Sequence, residues 1–282
     1  MNEAKTSPTP ANYDAKVALE FFKSVGSVEK FSKGESIFAE NEKAGRFTLK
    51  RDKMYFLLEG DVTMMAKGQP IATVGTGQIF GEMASLSQAP RSASAVASAA
   101  CRVIGLDDKQ FQAGLQKKPE FALMMMSVII ARLRDSLTKS TAAVTLVKAG
   151  LPAKDARVFE KKLLSALEKE LGDDAKMRYD QGRVIMQEGQ VGVLMYVVLD
   201  GQVQISIKGK PVELVGPGAV FGEMALVEKG PRLASAVAQI TTEVLAINRN
   251  AFLDLVKSNP EFGMSLLTAM GERARLTTDR KS

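Results

Sequence analysis

Apolar and polar positions alternate in short runs through most of the 282-residue chain, and the runs come in two matching series. Met54-Tyr-Phe-Leu-Leu-Glu-Gly and Met195-Tyr-Val-Val-Leu-Asp-Gly are β-branched or aromatic stretches closed by a turn glycine. Each leads to an alternating strand (Asp61–Ala66, Gln202–Ile207), a Lys-Gly turn (Lys67-Gly68, Lys208-Gly209) and a strand opened by Pro70 or Pro211. Strands are also predicted at Val28–Phe31, Glu35–Ala39, Ser92–Ala99 and Cys101–Leu106, and at Leu233–Gln239 and Glu243–Ile247 in the second series. Short strands at this spacing predict an antiparallel barrel or jelly roll. Helical periodicity replaces alternation at Ala15–Phe22, Asp107–Gln116 and Phe121–Val147, and again at Ala156–Leu171, Arg249–Lys257 and Phe262–Leu276. The broad apolar face of Phe121–Val147, rich in Met and Ile, is read as core and interdomain packing. The expected fold class is mainly β with helices (α+β), as two jelly-roll-like barrels each flanked by helices. Residues 1–11, rich in Ser, Thr, Pro and Ala, are expected to be disordered. Residues 12–148 and 149–282 are expected to be the two domains, with a break at Ala149-Gly-Leu-Pro152.

One stretch repeats more closely than the rest. Gly77–Ala97 and Gly218–Ala238 share 13 of 21 positions at an offset of 141 residues. Both keep Phe-Gly-Glu-Met-Ala and Pro-Arg-x-Ala-Ser-Ala-Val-Ala, with the Glu and the Arg nine residues apart. The spacer between them varies in size and charge, whereas a packing constraint would hold apolar positions and release charged ones. Upstream, the offset is 148 at Gly34/Gly182, so the first repeat carries seven extra residues within Asn41–Lys53, read as a surface insertion.

These residue types suit a phosphate beside a sugar. Gly81 and Gly222 lack a Cβ and let backbone approach a ligand. Each precedes a helix-prone run whose first-turn amides form an anion site. Arg91 and Arg232 supply a planar fork that matches phosphate oxygens in pairs. Glu82 and Glu223 would repel that anion, so they are read as acceptors for a hydroxyl such as a ribose 2′-OH.

Composition narrows the classes further. The chain has no histidine, which excludes His-based general-base catalysis, Ser-His-Asp and Cys-His arrangements and His metal sites. The lone Cys101 allows no internal disulfide and is read as a buried small hydrophobe. No catalytic residue, metal site or cofactor is expected. No signal peptide or membrane span is read, and a cytoplasmic location is expected. The net charge of +6 is dispersed along the chain and decides nothing about nucleic acid.

On FGEMA and PRxA the sequence resembles the cyclic nucleotide-binding domain family, which includes the regulatory subunit of protein kinase A and the bacterial catabolite activator protein. The resemblance covers most of the chain, twice. It implies that Gly81, Met83, Ala84, Arg91, Ser92 and Ala93, with Gly222, Met224, Ala225, Arg232, Leu233 and Ala234, surround a cyclic phosphate. It also implies that Glu82 and Glu223 hold the ribose. Leu233 departs from the family pattern, where Ala, Ser or Thr follows the Arg; its branched side chain is expected to weaken binding and disfavour cyclic GMP. Counting seventeen and eighteen residues from Pro260 gives Thr277 and Thr278, the positions of an adenine-contacting hydroxyl pair in the catabolite activator protein.

The function expected is a two-site sensor of a cyclic mononucleotide, cyclic AMP above cyclic GMP, signalling to a separate effector protein by rearrangement of its helices. Only Thr277–Ser282 follow the last helix, so direct DNA binding is not expected, nor is enzymatic activity. The competing classes are a scaffold with empty cassettes and a regulator of transcription through a partner.

Overall fold

The computed structural model describes residues 13–42, 52–87, 89–138 and 157–279. The expected disordered N-terminus and the break at Ala149–Pro152 lie outside the described residues, as does most of the Asn41–Lys53 insertion.

The first repeat folds as β1 (Ser27–Phe31), β2 (Ser36–Phe38), β3 (Lys53–Glu59), β4 (Val62–Ala66), β5 (Gln69–Val74), β6 (Ile79–Phe80), β7 (Ser94–Ala97) and β8 (Cys101–Asp107). One sheet runs β1-β8-β3-β6 and the other β2-β7-β4-β5, every pairing antiparallel. Strands that neighbour in sequence thus often fall in different sheets, which is the jelly-roll order the alternation predicts. The second repeat has β9 (Lys176–Tyr179), β10 (Val184–Met186), β11 (Met195–Asp200), β12 (Val203–Ile207), β13 (Lys210–Val215), β14 (Val220–Phe221), β15 (Ser235–Ala238) and β16 (Thr242–Ile247). Its sheets, β14-β11-β16-β9 and β10-β15-β12-β13, reproduce the first pair strand for strand. Lys67 and Lys208 (both φ 50°), with Gly68 and Gly209 after them (φ 74° and 72°), form left-handed turns joining β4 to β5 and β12 to β13.

Each barrel closes over alternating inward residues. In the first, Phe38, Tyr55 and Phe80 stack with centroids 5.3–6.1 Å apart, above Leu57, Val62 and Val103. In the second, Tyr196 stacks on Phe221 at 5.1 Å and Met186 stands where Phe38 does. Burying each of these aromatic rings contributes about 1.5–3 kcal/mol.

The helices of the first repeat are α1 (Ala15–Val25), α2 (Glu82–Ser87), α3 (Asp108–Lys117) and α4 (Glu120–Thr138). Asp14 caps α1 through Lys16 N and Val17 N, and Asp107 with Gln110 forms a reciprocal capping box on α3. Phe21 of α1 stacks at 3.7 Å on Phe121 of α4. Met124–Met126 and Val128–Ile130 are all at most 7% exposed, so this face of α4 is core.

The second repeat has α5 (Lys161–Leu171), α6 (Arg249–Ser258) and α7 (Pro260–Asp279). The helix expected over Ala156–Leu171 starts at Lys161: the amides of Val158 and Phe159 both donate to Gly218 O, and the extended Glu160 is the N-cap. The described residues group into two compact units, one reaching to Leu133 and resuming at Leu267, the other spanning Arg134–Leu266.

Candidate functional site

In the first repeat, β6 ends at Gly81, whose φ of +73° suits a residue without a Cβ. A Cβ there would also stand 3.0 Å from Arg91 Nη1 and 3.0 Å from the Phe38 ring. The chain then enters α2, whose first-turn amides lack partners within the helix. Arg91 returns to this turn, only 4% exposed. Its Nη1 donates to Gly81 O at 2.6 Å and its Nη2 to Lys53 O at 2.7 Å. The guanidinium lies 4.2 Å from the Phe38 ring centre, and Asp52 Oδ1 is 3.6 Å from Nη2. Burial pushes the arginine pKa down, with Asp52 the strongest influence opposing that shift. The same burial pushes the Tyr55 phenol up to about 12. Met83 and Ala84 line the α2 turn, Ala93 is buried beyond Arg91, and Ser92 is exposed.

Glu82 is fully buried, and neither of its oxygens accepts a well-aligned hydrogen bond among the described residues. Its charge is met instead by Arg132 of α4, whose Nη1 approaches Oε1 at 2.6 Å off the N–H axis. Arg132 Nη2 also reaches Ile79 O at 3.4 Å. Nearby, the Tyr13 hydroxyl donates to Gly77 O at 2.6 Å; burial, then the charges of Glu82 and Asp14, hold its pKa above the usual phenol range.

The second cassette keeps the core of this geometry. Gly222 has φ +75°, and a Cβ there would stand 2.9 Å from Arg232 Nη1. Arg232 donates from Nη1 to Gly222 O at 2.9 Å and from Nη2 to Leu194 O at 2.6 Å. Burial lowers its pKa as well. The expected short helix is here a single 3-10 turn, Glu223–Leu226. At its end Arg249 Nη1 donates to Leu226 O at 2.7 Å. The position equivalent to Arg249 in the first repeat is Asp108, which cannot donate. Glu223, Met224, Ala225 and Ala234 are half-buried, and Leu233 is 51% exposed.

The structure thus brings Gly81 against Arg91 and Gly222 against Arg232, with Glu82 and Glu223 next in the chain. Thr277 and Thr278 extend α7, but their side chains lie outside the described residues. Sequence reasoning missed Asp52, Phe38 and Arg132. Arg132 had a signal: it stands thirteen residues after Pro119, as Arg273 does after Pro260. Among the described residues, no helix is long and apolar enough to cross a membrane, and no group of three acidic or cysteine side chains could hold a metal.

Comparison with known proteins agrees with this geometry. A sequence profile described as "Cyclic nucleotide-binding domain" matches residues 28–118 and 176–259, more than half of the chain, each match enclosing one cassette. The "Cyclic AMP receptor protein" of Thermus thermophilus is 36% identical over 102 residues, covering 34% of this chain and 47% of that protein. A "cAMP-dependent protein kinase regulatory subunit" of Eremothecium gossypii is 28% identical over 226 residues, covering 80% of this chain and 43% of its own. Among solved structures, the Thermus thermophilus catabolite activator protein covers 48% of this chain and 61% of that one, at 30% identity and a TM-score of 0.37. The chain spans about half the length, or less, of these curated relatives. With two matched segments and two assembled cassettes, the chain belongs to the cyclic nucleotide-binding domain family.

Proposed function

We propose that the chain is a cytoplasmic sensor that binds cyclic AMP at two sites and signals its occupancy to a separate effector protein. The observation that carries this reading is the duplicated arrangement of a left-handed glycine, a helical turn and an arginine fork pinned to the glycine carbonyl. Two donors of each fork are held by backbone, which fixes the plane of the guanidinium and leaves three further N–H groups to meet an anion. Cyclic AMP, rather than another cyclic nucleotide, is favoured by the ligand in the names of the relatives from Thermus thermophilus and Eremothecium gossypii.

The signalling step follows from Glu82. A ribose hydroxyl that donates to Glu82 competes with Arg132, so ligand has a different contact energy for two positions of α4. Only such differential affinity can shift a conformational equilibrium. Calorimetric titration of the full chain with cyclic AMP, cyclic GMP and cyclic di-GMP tests the reading. Two equivalents of cyclic AMP per chain are expected. Folded protein that takes up no cyclic nucleotide sinks it, and favours a scaffold with empty cassettes.

A further inference from the structure

The two cassettes differ in how they are covered. Every residue of α2 except Met83 is buried, whereas in the turn Glu223–Leu226 only Leu226 is. Part of the cover on α2 comes from α7. From Leu267 onward this helix belongs to the same compact unit as the first repeat, and Leu267, Met270 and Ala274 are at most 6% exposed. With Gly271, also buried, they form one stripe at helical spacing. A Cβ at Gly271 would stand 3.7 Å from Leu86 Cβ and 3.9 Å from both the Cβ and the amide nitrogen of Ser87, so the two helices approach closely there. The Ser87 hydroxyl donates to Met83 O at 2.6 Å within its own helix, so a neighbour can lie on Ser87 without stranding that donor.

The sequence suits this approach on one side only. At the offset of 141, Gly271 and Ala274 correspond to Ile130 and Leu133 of α4, both far larger, and Ser87 corresponds to Glu228. Glycine inside a helix costs about 0.5–1 kcal/mol relative to alanine, so packing rather than helix formation explains its place at the point of approach. We infer that the end of α7, although it follows the second barrel in the chain, is a readout of the first site: a nucleotide that orders or shifts α2 acts on α7 through the contact at Gly271. The inference rests on the reading of both cassettes as cyclic nucleotide sites. Chain order alone would assign α7 to the second cassette; the packing at Gly271 assigns its end to the first. By linkage, whatever α2 gains from the ligand is coupled to the position of the helix resting on it.

The test uses the full chain with one site disabled at a time and cyclic AMP as the titrant. In an Arg232→Ala background, saturating cyclic AMP should slow amide exchange across Leu267–Ala274 by about tenfold, equivalent to about 1.4 kcal/mol. In an Arg91→Ala background the same amides should respond far less. Gly271→Leu, which drives a side chain against Leu86 and Ser87, should weaken the first site by about tenfold and leave the second unchanged. Gly271→Ala should bind normally, because its Cβ would meet only ordinary contact distances. Thermal unfolding midpoints check that each variant is folded. Unchanged exchange across Leu267–Ala274 in the Arg232→Ala chain, with its first site occupied, overturns the role given to α7 and leaves the cassette reading intact. First-site binding by Gly271→Leu at the parent's affinity does the same. A folded parent chain that binds no cyclic AMP at either site overturns the cassette reading and this inference with it.

Discussion

Arg91 is sealed at 4% exposure among two carbonyls, a phenylalanine ring and an aspartate, whereas Arg232 bonds the two equivalent carbonyls, Gly222 O and Leu194 O, from a half-buried position. The glutamates differ in the same direction. Glu82 starts a six-residue α-helix, fully buried against Arg132, while Glu223 starts a four-residue 3-10 turn and is half-buried. Thirteen identical residues out of 21 thus give two sites with one backbone plan and two electrostatic environments. The motif supplies the groups proposed to touch a ligand. Residues outside it decide what those groups are doing before a ligand arrives.

The largest effect that would test this contrast comes from the arginines. Removing one partner of a buried charge-assisted contact costs roughly 2–5 kcal/mol, so Arg91→Ala and Arg232→Ala should each abolish or weaken binding at their own site by tenfold or more. They should differ in stability. Arg91→Ala should lower the thermal unfolding midpoint more, because it empties a sealed position against Phe38 and strips donors from Gly81 O and Lys53 O. Equal losses of stability would mean that the difference in burial has no energetic content.

Glycine replacements probe what the sites share. Gly81→Ala and Gly222→Ala each place a side chain at φ near +75°, costing about 1–2 kcal/mol, and each pushes on the arginine Nη1. Denaturant midpoints should fall by similar amounts in the two variants, with nucleotide affinity reduced at the substituted site. A variant that keeps both would show that the close approach of cassette and arginine is dispensable.

A smaller effect is expected from Glu82→Gln, which keeps the volume and removes the charge that Arg132 meets. Arg132 is 31% exposed, so the lost attraction is screened and should be worth about 1 kcal/mol or less. Amide hydrogen exchange near Ile129–Arg132 should quicken in the unliganded protein. If it does not, the pair is not what fastens this turn of α4.

Much of this was readable along the chain because the causes are local or periodic. The unbroken apolar runs Met54–Leu58 and Met195–Leu199, each closed by a turn glycine, mark central strands buried on both faces. Lys-Gly pairs mark left-handed turns because glycine tolerates positive φ. The cassette glycines, glutamates and arginines stood out because two copies in one chain show which positions vary. The start of α5 was misplaced for a non-local reason: Arg157–Phe159 have helical neighbours in sequence, yet Gly218 O claims two of their amides from across the fold.

What the sequence by itself determined is the plan: two jelly rolls, two cassettes, and residue types suited to a cyclic phosphate and a ribose. Tertiary structure alone decided that Asp52, 39 residues before Arg91, and Arg132, 50 residues after Glu82, become the partners of those groups. Secondary structure and turns follow from short-range sterics, which repeat wherever the same residues repeat. Charge pairing depends on distance in space and on how much water is excluded, and both are fixed only when β3 and α4 pack against the cassette.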